Sequence, residues 1–143
     1  MYYSMEKTRV QINNEKIARE KATIAVYQNL LVNTTEDEIK ENLNNEELFL
    51  DDQENKDYCL WLIETTLSHK ESYQKLIETH LKKGWTFERL NMIERAILLI
   101  ATCELLESEL SKVIIINEAV INAKKFCDDD SYKFINGILA KII

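Results

Sequence analysis

Proline is absent from this chain and glycine occurs only at Gly84 and Gly137, which removes most of the residues that punctuate strands with tight turns. A chain of 143 residues so poor in turn formers is directed toward helices joined by short polar links. It also has no glycine-rich loop with which to cradle a nucleotide phosphate, so P-loop and Rossmann chemistry are excluded. Ile, Asn, Lys and Glu are abundant enough that compositional bias explains some of the missing proline, and the weight therefore passes to periodicity.

The periodicity is helical throughout. From Glu15 to Val32, Ile17, Ile24 and Leu31 recur every seven residues with Ala18, Ala25 and Val32 beside them, predicting a first helix buried along that stripe after a mobile polar leader over residues 1–13. Thr35 before Glu36-Asp37-Glu38 reads as an N-cap with an acidic first turn, and Ile39, Leu43 and Leu50 extend that helix to an acidic loop, Asp51-Asp52-Gln53-Glu54. Tyr58, Cys59, Leu62, Ile63 and Leu67 mark a third helix. Tyr73, Leu76, Ile77 and Leu81 mark a fourth that stops at Gly84, either antiparallel to the third or its continuation across a gentle break.

The segment from Phe87 to Leu106 is apolar on two adjoining stripes, which suits the middle of a bundle, with Arg89, Glu94, Arg95 and Glu104 paired or at its rim. Ile114-Ile115-Ile116 has strand propensity, but the spacing through Ala119, Val120, Ala123 and Phe126 favours helix. Beyond the acidic joint Asp128-Asp129-Asp130 the pattern resumes with Ile135, Ile138, Leu139 and Ile142, and one of the three aspartates or Ser131 is expected to cap that last helix. The fold expected over 1–143 is all-α, a single compact bundle of about seven helices.

Catalytic chemistry finds little support. Cys59, Cys103 and Cys127 are odd in number and embedded in apolar patterns, as reduced cytosolic thiols are. His69 and His80 lack metal-ligand spacing and a nucleophile partner, and both are expected at the surface. Glu94 and Glu104 are ten residues apart, about 15 Å along a helix, too far for a paired acid and base. No enzyme activity, metal or cofactor is expected. No apolar run is long enough for a membrane span or secretory signal, so a cytoplasmic protein is expected. The formal net charge of −7 argues against indiscriminate binding of polyanions.

Two local patterns nevertheless suit RNA. Lys16, Arg19, Thr23 and Tyr27 lie on one strip of the first helix, where two cations and a phenol could grip a phosphate backbone and a base, or simply form a solvated face. Phe134 falls at the edge of the last helix's apolar stripe, turned toward Lys133, Gly137 and Lys141. It is either a base-stacking platform or a widening of the core.

Several short runs then combine. Ala18-Arg19-Glu20, Glu88-Arg89-Leu90, Ile93-Glu94-Arg95-Ala96-Ile97-Leu98, Glu104-Leu105-Leu106, Ile116-Asn117-Glu118-Ala119-Val120, Ala123-Lys124-Lys125-Phe126, Asp130-Ser131 and Lys133-Phe134-Ile135-Asn136-Gly137 together resemble the bacterial transcription antitermination factor NusB family, most clearly from Trp85 onward. The resemblance implies seven helices in two subbundles and noncatalytic binding of boxA-type single-stranded leader RNA together with ribosomal protein NusE. It further implies recruitment into RNA polymerase antitermination complexes, especially on ribosomal RNA operons. It implies an RNA surface of Lys16, Arg19, Tyr27, Asp130, Ser131, Lys133, Phe134 and Asn136, and a partner surface on the central helices where Glu88, Glu94 and Glu104 offer acidic groups. Some members dimerise across the RNA face, which makes a homodimer one expected state. Glu15 and Ile17 stand where the family often has basic residues, Ser111 where it has proline and Cys127 where it has glycine. The thinned basic start and acidic balance motivate an alternative, a noncatalytic protein-interaction or ribosome-assembly factor with little RNA affinity of its own.

Overall fold

A computed structural model describes residues 9–44, 53–128 and 130–142. Through them run α1 (Arg9–Val32), α2 (Glu36–Asn44), α3 (Gln53–Ser68), α4 (Lys70–Glu78), α5 (Met92–Glu107), α6 (Lys112–Phe126) and α7 (Ser131–Lys141), with one 3₁₀ turn at Phe87–Arg89 and no strand among the described residues. The expected all-α bundle is thus the observed one. Its boundaries differ in places. Helix α1 starts at Arg9, so residues 9–13 are helix rather than leader, and Gln53 with Glu54 opens α3 instead of closing a loop. Residues 1–8, Leu50, Asp51 and Asp52 lie outside the described residues. Only His69 separates α3 from α4, and backbone bonds from His69 N–H to the Thr65 carbonyl and from Tyr73 N–H to the His69 carbonyl carry the ladder across it. The pair is therefore a broken helix, not an antiparallel hairpin.

Local chemistry sets the helix ends. Asn33 takes a left-handed φ of 56° and returns its N–H to the Asn29 carbonyl at 3.0 Å, a role that asparagine tolerates better than most residues. Thr35 Oγ1 accepts from Glu38 N–H at 3.1 Å and opens α2 as its position suggests. Helix α5 begins with a reciprocal box in which Asn91 Oδ1 accepts from Glu94 N–H at 2.9 Å while Glu94 Oε1 accepts from Asn91 N–H at 3.2 Å. Helix α4 ends at Glu78, ahead of Gly84, and the Glu78 carboxylate accepts the Phe87 N–H that opens the 3₁₀ turn at 2.7 Å.

Helix α5 is the shared element. It packs against α1, α3 and α4 on one hand and against α6 and α7 on the other, and every residue from Ala96 to Glu104 is buried. Burial on all sides follows from its two apolar stripes, and the one hydroxyl in that run, Thr102, donates to the Leu98 carbonyl at 2.7 Å. Helix α1 meets this core through a narrower face than the heptad pattern suggests. Ala18, Ala22, Ala25 and Val26 are buried, whereas Leu31 and Val32 are exposed, because small side chains let α1 settle close to α3 and α5.

That face of α1 also carries a charge into the interior. Arg19 is buried, with Nε 2.7 Å from Glu104 Oε1 and a terminal nitrogen 2.9 Å from Oε2. The Tyr58 hydroxyl of α3 donates to the same carboxylate. Burial pushes the guanidinium toward losing its proton, but the charge and hydrogen bonds of Glu104 outweigh it, and the Arg19 pKa is raised. Two assignments from the sequence fail here. Arg19 is not an outward-facing RNA cation and Glu104 is not an acidic partner group, since each is spent on the other inside the bundle. Removing one member strands a buried charge, so Arg19→Met or Glu104→Leu should each lower the unfolding free energy by about 3–5 kcal/mol. The double variant, measured in urea, should lose clearly less than the sum; additive losses would show that the two do not act as a pair.

Candidate nucleic-acid interface

Three helices meet where α6 ends. The last turn of α6 carries Lys124 and Lys125, and each reaches a different neighbour. Lys125 Nζ lies 2.8 Å from Glu20 of α1, while Lys124 Nζ sits 4.6 Å from the centre of the Tyr132 ring on α7. Lys133 approaches the same ring at 5.9 Å. Nearer the start of α1, Lys16 pairs with Glu118 of α6 at 2.8 Å. The result is a cationic seam with an aromatic face on a chain whose formal net charge is −7.

Helix α7 presents the rest. Ile135, Ile138, Leu139 and Ile142 are buried, leaving Lys133, Phe134, Asn136, Gly137, Ala140 and Lys141 exposed. At 100° per residue, Tyr132 and Phe134 bound opposite edges of this arc, about 160° apart. Phe134 is 36% exposed, so part of the residue is open to solvent. A Cβ added at Gly137 would meet nothing within 4 Å. The fold itself does not require glycine there, and its bare backbone leaves room beside Lys133, Phe134 and Lys141 for a close approach.

The other sequence-derived residues divide. Lys16, Lys133, Asn136 and Asp130 are on the accessible side, and Asp130 pairs loosely with Lys133 at 3.8 Å. Tyr27 is half-buried and packed against the core. Ser131 is largely buried, and its hydroxyl donates to Glu94 Oε2 at 2.7 Å. The side chains of Asp130 and Ser131 do not cap α7: Asp130 makes no side-chain cap bond, and the Asp128 carbonyl accepts the Ser131 N–H at 3.0 Å instead. Asp129 lies outside the described residues. Lys124, Lys125 and Tyr132 are the residues that site selection from sequence missed. Their signal was the Ala123-Lys124-Lys125-Phe126 run, but a turn-ending lysine pair reads equally well as a complement to the helix dipole.

The acidic groups assigned to a partner divide likewise. Glu88 is exposed on the 3₁₀ turn, next to Arg89, whose guanidinium lies 4.7 Å over the exposed Trp85 ring. Glu94 is committed to the α5 cap and to Ser131, and Glu104 is interior. Burial, then the nearby Glu94 carboxylate, pushes the Cys127 thiol up to about 11, and burial pushes Cys103 up to about 12. Thiols held so firmly protonated are poor nucleophiles at neutral pH.

Against this geometry stand the comparisons. The family model described as NusB family matches residues 16–143. The chain belongs to the NusB family. Among its relatives, the transcription antitermination protein NusB of Staphylococcus haemolyticus is 38% identical over 132 residues, spanning 88% of this chain and 99% of that protein. The solved structure of T. maritima NusB superposes with a TM-score of 0.79 at 27% identity, covering 90% of this chain and 89% of the other. A NusB chain from a complex of antitermination factors NusB and NusE with dsRNA gives a TM-score of 0.79 at 28% identity, covering 92% and 96%.

Within this fold Glu94 stands between the start of α5 and the start of α7, accepting from Asn91 N–H and from the Ser131 hydroxyl. Glu94→Ala removes half of a capping box and the acceptor of a buried hydroxyl, so a loss of about 1–2 kcal/mol of stability is expected in urea. No loss at all would show that α7 is held in place without this carboxylate.

Proposed function

We propose that this NusB-family antitermination factor binds boxA-type single-stranded leader RNA together with ribosomal protein NusE, and so promotes antitermination by RNA polymerase on ribosomal RNA operons. The observation that carries the reading is the cationic and aromatic seam gathered by α1, α6 and α7 on an otherwise acidic chain. The structure of antitermination factors NusB and NusE in complex with dsRNA supports its coarser part, that RNA and NusE are the partners. Lys16, Lys124, Lys125 and Lys133 would meet phosphates, Phe134 would stack on a base, and Asn136 would read a base edge. Asp130 can accept from a cytosine amino group. Arg19 and Ser131 lie beneath this surface and hold it in place. For the partner, exposed Glu88 beside Trp85 offers a carboxylate and an aromatic anchor to a basic protein.

A second reading, an interaction or assembly factor with little RNA affinity, draws on the exposed apolar residues Val113, Ile114 and Ile121 along one side of α6, which suit a protein partner better than a phosphate backbone. The two readings part in a titration of boxA-type RNA with and without the cognate NusE. With so few cations, RNA alone should bind weakly, and NusE should tighten it. The affinity should fall steeply between about 50 and 200 mM salt. Tight, salt-insensitive binding without NusE would overturn the cation assignment, and no binding in either case would favour the assembly factor.

Phe134 gives the sharpest test. Phe134→Ala should weaken RNA binding by about 1–3 kcal/mol while lowering stability by less than the roughly 3–5 kcal/mol of a fully buried ring. Melting temperature and RNA affinity measured on the same protein decide it, and a large stability loss with unaltered affinity would make Phe134 a core residue.

A further inference from the structure

Two ion pairs of opposite polarity close the α1–α6 seam. Lys16 of α1 reaches Glu118 of α6 at 2.8 Å, and Glu20 of α1 receives Lys125 of α6 at 2.8 Å. Both contacts advance in the same direction along the two helices. The lysines are the more open members. Lys16 is 42% exposed and Lys125 55%, against 15% for Glu118 and 28% for Glu20. A phosphate arriving from solvent therefore meets the cation first, with a less hydrated carboxylate already bound behind it.

We propose that Glu20 and Glu118 are internal competitors for RNA phosphate, so that RNA binds this seam by exchanging carboxylate for phosphate on Lys125 and Lys16. The inference rests on the RNA-binding reading above and adds how that site is restrained. Exchange breaks an ion pair and leaves a carboxylate, unpaired and partly desolvated, close to the incoming anion. Arg19 lies close enough to feel Glu118, but its hydrogen bonds are committed to Glu104. The penalty falls only on polyanions that offer enough further contacts to offset it, such as stacking on Phe134 or contacts supplied by a bound partner. Weak nonspecific RNA, held by phosphates alone, is disfavoured.

The test compares binding of a labelled boxA-type RNA, in the presence of NusE, by the full-length chain and its isosteric variants. Partly exposed ion pairs couple by about 0.2–1 kcal/mol, equivalent to about 1.4–5-fold each. Glu20→Gln with Glu118→Gln should thus tighten RNA by about 2- to 25-fold and steepen the log–log salt dependence by up to about 0.7 per lysine released. A control with the same net charge, Glu54→Gln with Glu71→Gln on exposed positions of α3 and α4, should gain less. In a Lys16→Gln, Lys125→Gln background the gain from the glutamate changes should vanish. The single variants Glu20→Gln and Glu118→Gln serve if the double variant does not fold. If the lysine changes weaken RNA but the glutamate changes gain no more than the control, the competition is overturned while the RNA surface stands. If the lysine changes leave RNA binding untouched, both the seam's place in the RNA path and the competition are overturned.

Discussion

The buried contact between Arg19 and Glu104 fixes the rotation of α1 on the bundle, and most of what α1 shows to solvent follows from it. A guanidinium held by two hydrogen bonds to a carboxylate, with the Tyr58 hydroxyl on one of the same two oxygens, tolerates little rotation or sliding, because each lost bond would leave an interior charge unsatisfied. With Arg19 turned inward, helical spacing places Lys16 and Glu20, on either side of it in sequence, at the flank facing α6. The pair joins α1 to α5, and Tyr58 ties α3 to both. Apolar packing of alanines alone would specify this register less sharply, since small side chains interlock weakly.

The same economy of cations shapes the surface. An acidic chain that is to meet RNA cannot rely on its overall field, which repels polyanions, so specificity has to come from a few cations concentrated by helix packing. Lys124 and Lys125 are neighbours in sequence yet serve two different helices, one on the Tyr132 ring and one on Glu20. Stacking a lysine on an aromatic face holds its ammonium in place while leaving its hydrogen-bond donors available. Pairing it with a carboxylate does the opposite. The seam thus contains a lysine held on a ring and lysines held by carboxylates.

How much of this was legible depended on whether the determinant was local. The caps at Thr35 and at Asn91 with Glu94 sit within four residues of what they stabilise, and α5 announces its burial by apolar residues on two stripes. Phe134 could be placed at the edge of its stripe from helical spacing alone, and its partial exposure agrees. Glu104 could be expected to be paired or at the rim, but its pairing with Arg19 could not be read, because the two are 85 residues apart in sequence and an arginine on a helix reads as solvated until its counter-ion is known. Ser131 was misplaced for a related reason. A serine beside an acidic turn resembles a cap, but its hydroxyl is claimed by Glu94 from another helix. The exposure of Leu31 and Val32 was hidden because a heptad of large residues gives no warning that alanines will form the closer contact.

These errors share a direction that bears on how the site works. Arg19, Ser131, Glu94 and Glu104 are all polar residues of the family pattern that the structure turns inward or ties to a neighbouring helix, and each fixes a helix that carries an exposed group: α1 for Lys16, α7 for Lys133, Phe134 and Asn136. A loss of RNA binding on altering Arg19 or Ser131 therefore would not by itself mark a contact with RNA, because shifting α1 or α7 by even a small rotation moves every exposed group on it. Positioning and contact separate by their stability signatures. Buried polar residues couple binding loss to unfolding free energy, whereas Lys124, Lys133 and Asn136, which stand in solvent, can change affinity and salt dependence with the fold intact.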